Sequence, residues 1–165
     1  YKRVVTGAVR GVDYIASLSQ WDGKTIGVTG ASQGGFLSLA VAALDKRITF
    51  LGVVHDAMCD YSAEVHGVAG GWPHYFYKNT DKSLKVKVDA SMYYDGVNFA
   101  RRINVPGWYS FGYNDEVVPP TSSYGLYNIV TAPKKLSVYQ QTGHYWYQEQ
   151  WDEWQNYIKE HLNVK

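Results

Sequence analysis

The chain has 165 residues, 45% apolar and 19% charged, with 16 basic against 15 acidic side chains. That suits one domain with a real core, excludes a disordered composition, and leaves no net field to attract nucleic acid or an anionic membrane surface. Aromatic side chains are in excess at 16%, and the single cysteine, Cys59, excludes an internal disulfide or a cysteine-built zinc site.

Apolar steps of three and four residues (Val5, Ala8, Val12, Ile15, Leu18) predict an amphipathic helix over Val4–Leu18. A short strand follows at Thr25–Thr29, then a helix from Gln33 to Leu44 that is apolar on nearly every side. Ile48–His55 reads as a buried strand, too apolar for a half-exposed one. Asp56–Asp81 has no period and is dense in Gly and aromatics, so it reads as a lid-like excursion. A helix is predicted over Ala90–Ile103, a strand over Val105–Tyr113, a helix over Thr121–Val130 and a strand over Lys135–Gln140. Glu149–Leu162 closes the series as a helix with Trp151, Trp154, Tyr157 and Ile158 near one face. Strands alternating with helices imply an α/β fold with a parallel sheet and right-handed crossovers. No apolar run approaches the roughly 18 residues of a membrane span. The chain starts at Tyr1 rather than Met, so its compartment is not read from that end.

Gly30-Ala31-Ser32-Gln33-Gly34 lies between a predicted strand and a predicted buried helix, the setting of a G-x-S-x-G nucleophile elbow. The turn is sharp, so Gly30 and Gly34 are expected to be small for steric reasons, with Gly35 adding clearance. Ser32 would stand at a helix N-terminus, where developing negative charge is favoured, and the Gln33 N–H would serve as an oxyanion donor. A serine nucleophile needs a base and an orienting acid, which on such a sheet follow in the order Ser, Asp/Glu, His. Asp115 follows the third strand and His144 the fourth, both at the carboxyl edge where a parallel sheet gathers its site. Asp56 and Asp60, after the second strand, are the alternative acids. His55, His66 and His74 lie near Asp56, Asp60 and Glu64, but their spacing matches no metal-binding pattern, and they read as loop histidines. Cys59 reads as a small buried residue.

Three segments, GVTGASQGG, DEVVPPTSSYGLYN and TGHYWYQEQ, together resemble the acetyl xylan esterase and cephalosporin C deacetylase family of α/β-hydrolases, carbohydrate esterase family seven. The elbow Gly30-Ala31-Ser32-Gln33-Gly34-Gly35 matches the family's Gly-x-Ser-Gln-Gly-Gly, and Asp115 with Pro119-Pro120 matches its acid motif. The family's His-Glu is here His144-Tyr145. The resemblance implies catalysis by Ser32, Asp115 and His144 without metal or organic cofactor, on acetylated xylo-oligosaccharides or similar small acetyl esters. It covers only the later part of such an enzyme: four strands are found where about eight are usual. The family's Arg-Gly-Gln motif and the loop carrying the second oxyanion donor have no counterpart. The expectation is therefore an α/β-hydrolase-like domain over 1–165, incomplete at its N-terminus, with the lid-like excursion at 56–81. Such a chain would be weakly active alone and would associate with a missing half or as an oligomer. Trp72 and Trp146 are expected to face the sugar, since aromatic faces suit sugar rings. The rival readings are a prolyl-oligopeptidase-type serine peptidase and a non-catalytic carbohydrate-binding module on a hydrolase scaffold.

Overall fold

The computed structural model describes residues 1–77 and 84–163. Apolar residues at helical spacing along α1 (Lys2–Ser17) turn Val5 and Val12 inward. β1 (Gly27–Ala31) then runs into the elbow, two residues beyond the predicted strand, and α2 (Gln33–Leu44) begins and ends as predicted. β2 (Phe50–Val54), β3 (Gly107–Gly112) and β4 (Lys134–Tyr139) pair in parallel with one another and with β1, in the spatial order β1-β2-β3-β4. All residues of β2 and β3 are buried, as strands covered on both faces require.

The two-residue period of the strands divides the core. Leu51, Val53 and Tyr109 join Val12, Leu39, Val41 and Leu126, so α1, α2 and α5 (Pro120–Ile129) cover one face of the sheet. Phe50, Val54 and Trp108 point the other way and meet Tyr157, Trp154 and Ile158 of α6 (Gln148–Leu162). Within α6 the inward set differs from the expected one. Gln150 is fully buried and donates from Nε2 to Ser110 Oγ at 2.7 Å, while Trp151 is 39% exposed.

The helix predicted over Ala90–Ile103 is in fact broken. α3 (Leu84–Ser91) leads into a 3₁₀ turn at Met92–Tyr94, and a separate α4 spans Gly96–Ala100. Asp95 causes the break. Its extended backbone stops the turn, and its carboxylate accepts N–H bonds from Asp60, Tyr61 and Val97 at 2.8–2.9 Å, capping α4. Gly96 has no room for a Cβ, which would collide with Cys59 Sγ. The excursion is thereby laced to the helical layer. It contains a 3₁₀ helix at Tyr61–His66, and its predicted final residues, 78–81, lie outside the described residues.

Candidate active site

Ser32 is the single residue between β1 and α2, with φ 56° and ψ −122°, a left-handed φ that a non-glycine residue adopts only at a cost. The turn is held by Ser32 N–H to the Val54 carbonyl at 2.8 Å and by Ala57 N–H to the Ser32 carbonyl at 3.2 Å. Close packing makes glycine necessary at Gly30, where a Cβ would strike the Gly34 backbone. Gly34 itself has open space around its missing Cβ, so the expected symmetric demand for small flanks is corrected: the turn needs Gly30 beside the Gly34 backbone. Gly35 is tight against the Val54 carbonyl, at 3.1 Å from an added Cβ. Gln33 is the first residue of α2, so its N–H is one of the helix's four without an intrahelical acceptor.

The three strand-end residues singled out in the sequence converge. His144 Nε2 lies 3.0 Å from Ser32 Oγ, and its Nδ1 lies 2.8 Å from Asp115 Oδ2. A carboxylate only accepts, so Nδ1 carries the proton and Nε2 offers its lone pair to the serine hydroxyl. Asp115 Oδ1 accepts the N–H groups of Val117 and Val118 at 2.9 and 2.8 Å. Burial alone would raise this carboxyl, but the bonds from His144 and the Val118 N–H, with the His55 imidazole beside them, outweigh it and hold the group well below the usual carboxylate range. Asp115 is thus a buried anion at neutral pH. Such a chain of groups can take a proton from a serine hydroxyl and return it to a leaving group.

The alternative acids are not part of this chain. Asp56 is fully buried and pushed up to about 6 by that burial, and Asp60 is raised for the same reason. Cys59 is buried, as expected, and its thiol is driven up by loss of solvation. The three loop histidines have separate fates. His66 ends the 3₁₀ helix. His74 spans two loops, with Nδ1 2.8 Å from Glu64 Oε1 and Nε2 3.1 Å from the Val117 carbonyl.

His55 lies in the bend after β2, a loop histidine as expected, but it is buried at 2% exposed, with Nδ1 3.2 Å from Asp115 Oδ2 and its ring 5.2 Å from that of His144. Its relation to the site was missed in the sequence, although it follows a strand end just as Asp115 and His144 do. Among the described residues, His55, Asp115 and His144 are the one His/Cys/Asp/Glu group whose ligand atoms gather within 4.8 Å.

Trp72 and Trp146 are not brought together. Trp72 packs beside Tyr61, Phe76 and Met58, whereas Trp146 packs beside Val54 and Trp108 on the α6 side. Trp146 also meets Trp151 and Trp154 edge-on at 4.9 and 5.8 Å, and His55 at 6.5 Å. The two tryptophans thus belong to two different apolar clusters.

The chain is similar to known proteins along most of its length. The acetyl xylan esterase (AXE1) family model matches residues 1–161. The acetyl esterase Axe7A of Xylanibacter ruminicola is 47% identical over 134 residues, which are 81% of this chain and 30% of that protein. The solved acetyl xylan esterase from Paenibacillus sp. R4 superposes with a TM-score of 0.86 at 27% identity, over 98% of this chain and 53% of that one. The acetyl xylan esterase 1 from Thermoanaerobacterium sp. JW/SL YS485 does so with 0.81 at 25% identity, over 94% and 51%. The chain spans about half the length of these structures and less than a third of Axe7A. With an α/β-hydrolase sheet, a serine at its elbow and a family match along nearly its whole length, the chain belongs to the acetyl xylan esterase family.

Proposed function

We propose that the chain carries the nucleophile, base and acid of a serine esterase that removes acetyl groups from acetylated xylo-oligosaccharides or similar small acetyl esters. The observation that carries this reading is the continuous relay from Ser32 Oγ through His144 to Asp115, at 3.0 and 2.8 Å. Ser32 Oγ attacks the acetyl carbonyl carbon as its proton passes to His144 Nε2, and Asp115 steadies the resulting imidazolium. The oxyanion accepts a bond from the Gln33 N–H. Collapse expels the sugar alkoxide, which takes the proton from His144. Water then attacks the acyl-enzyme, its proton goes to His144, and acetate leaves as Ser32 regains its hydrogen. The acetyl specificity rests on the relatives' named activities rather than on a pocket shape.

The site needs a second oxyanion donor, and we propose that it comes from backbone brought to the open edge of β1, in the same chain or from another. The support is that β1 is half-exposed along its whole length, although it carries the serine. Acetate release by Ser32→Ala, in the longest natural form of the protein, tests the central reading. Turnover is expected to fall by at least about 10⁴-fold; retained turnover overturns the nucleophile.

A further inference from the structure

The relay does not exhaust the groups gathered at Asp115. His55 follows β2 directly, and its backbone takes φ 47°, a left-handed value costly for a residue with a Cβ. Its N–H donates to the Ser110 carbonyl at 2.9 Å, fixing the residue between the elbow strand pair and β3. The turn aims the ring inward rather than to solvent: Nδ1 stops 3.2 Å from Asp115 Oδ2, the same oxygen that His144 Nδ1 approaches at 2.8 Å. The contact is off the ideal axis of a hydrogen bond, and neither ring nitrogen has a well-directed partner. An imidazole buried in that condition costs free energy that a leucine or phenylalanine would not. A strained backbone and an underused buried polar ring, side by side at a relay, call for a reason in the chemistry.

We propose that His55 is a positioning residue for the relay, a second imidazole that holds Asp115 ionised and fixed while His144 turns over. Two effects follow from its place. With its proton on Nδ1, the ring sets the positive end of an N–H dipole 3.2 Å from the carboxylate oxygen, off the hydrogen-bond axis yet close enough to favour its negative charge where no water reaches, since the Asp115 side chain has no exposed surface. The ring also fills the space beside His144 and Trp146, with centroids 5.2 and 6.5 Å away, so the base cannot swing toward β2 between proton transfers. His55 touches neither Ser32 nor the acyl carbon; it acts through Asp115.

The inference rests on the relay proposed above, and one set of variants separates the two. His55→Asn keeps an N–H near the position of Nδ1 and tolerates a left-handed backbone. His55→Gly tolerates that backbone without offering a donor, and His55→Leu fills volume without one. Acetate release is measured in the longest natural form of the protein, with thermal melts of each variant to identify folded protein. Folded Gly and Leu variants are expected to lose about 10–100-fold in kcat, the usual effect of removing a group that orients a reacting one, with KM changed less than about threefold. The Asn variant is expected to stay within about threefold of the parent. A purely structural role predicts another order, with Leu at least as active as Asn, and that order overturns the inference. Equal kcat in all folded variants does the same. If Ser32→Ala keeps its turnover, the relay reading itself falls. Loss in Ser32→Ala with no response at His55 removes only the inference.

Discussion

The two outer strands of the sheet are finished differently. β4 is built as a terminus: Lys134 lies over the Tyr127 ring at 4.2 Å and bonds the Tyr127 and Val130 carbonyls at 2.7 Å, and Ser137 and Tyr139 both donate to Glu153 of α6. β1, with the sequence Gly-Val-Thr-Gly-Ala, has no charge, no proline and no bulge, and a groove lined by Ala8, Val12, Ile15, Leu37 and Val41 runs beside it. Natural edge strands are usually guarded by charge, proline or irregularity, because a bare ladder invites another strand. β4 has such guards and β1 has none. β1 therefore has the character of an interior strand, and the serine stands at the end of the strand that most wants a neighbour.

The largest effect that this contrast itself predicts is on turnover. Acetate release by residues 1–165 alone is expected to be about 10²–10³-fold below that of the longest natural form, the usual worth of one oxyanion donor. Equal rates would mean that β1 is a true edge. Asp56, just past the end of β2 and away from both edges, supplies a control. Its carboxyl is raised from 3.8 to about 6, so the folded state prefers it protonated. It costs nothing below about pH 4, increasingly more as pH rises toward 6, and a constant amount above. Asp56→Asn is expected to stabilise the protein by up to about 3 kcal/mol at pH 7.5 and by little at pH 4, read from urea midpoints. The gain should be the same whether or not β1 is paired; a gain that depended on pairing would tie Asp56 to the open edge. At the guarded edge, Lys134→Met removes two charge-assisted bonds and a ring contact, and a loss of about 1 kcal/mol in the same measurement is expected. Glu153→Gln, which keeps the shape but weakens two exposed bonds, is expected to cost about 0.5 kcal/mol or less. Substitutions on β4 that changed kcat more than stability would show that the two edges are not separate in function.

Much of this was legible from local chemistry. The elbow announces itself because its strand, turn and helix are consecutive, and α2 is apolar around its circumference, so its limits were read correctly. Asp115 and His144 could be placed because each follows a strand, and strand ends in a parallel sheet converge. The break at Asp95 was not legible, since it depends on backbone N–H groups of Asp60 and Tyr61, 35 and 34 residues away, seeking an acceptor. The place of His55 beside the site was missed for a related reason: only the parallel pairing of β2 with β3, which sets Val54 beside Ser110, reveals that a residue after β2 can face a carboxylate after β3. The division of Trp72 and Trp146 between opposite sides likewise depends on the sheet separating them.

One residue, Val117, adds a further tie between the excursion and the segment that holds Asp115, beside those at Asp95 and Thr121. The Val117 N–H holds Asp115 Oδ1, while its carbonyl is held by His74 of the excursion, which is itself tied to Glu64. The excursion therefore cannot swing outward as a free flap. Either the His74 bond breaks first, or Val117 travels with it and tugs the hydrogen bond that steadies the acid. Movement of the excursion at His74 is thereby geared to the placement of Asp115, the acid of the proposed relay, through the backbone of one valine.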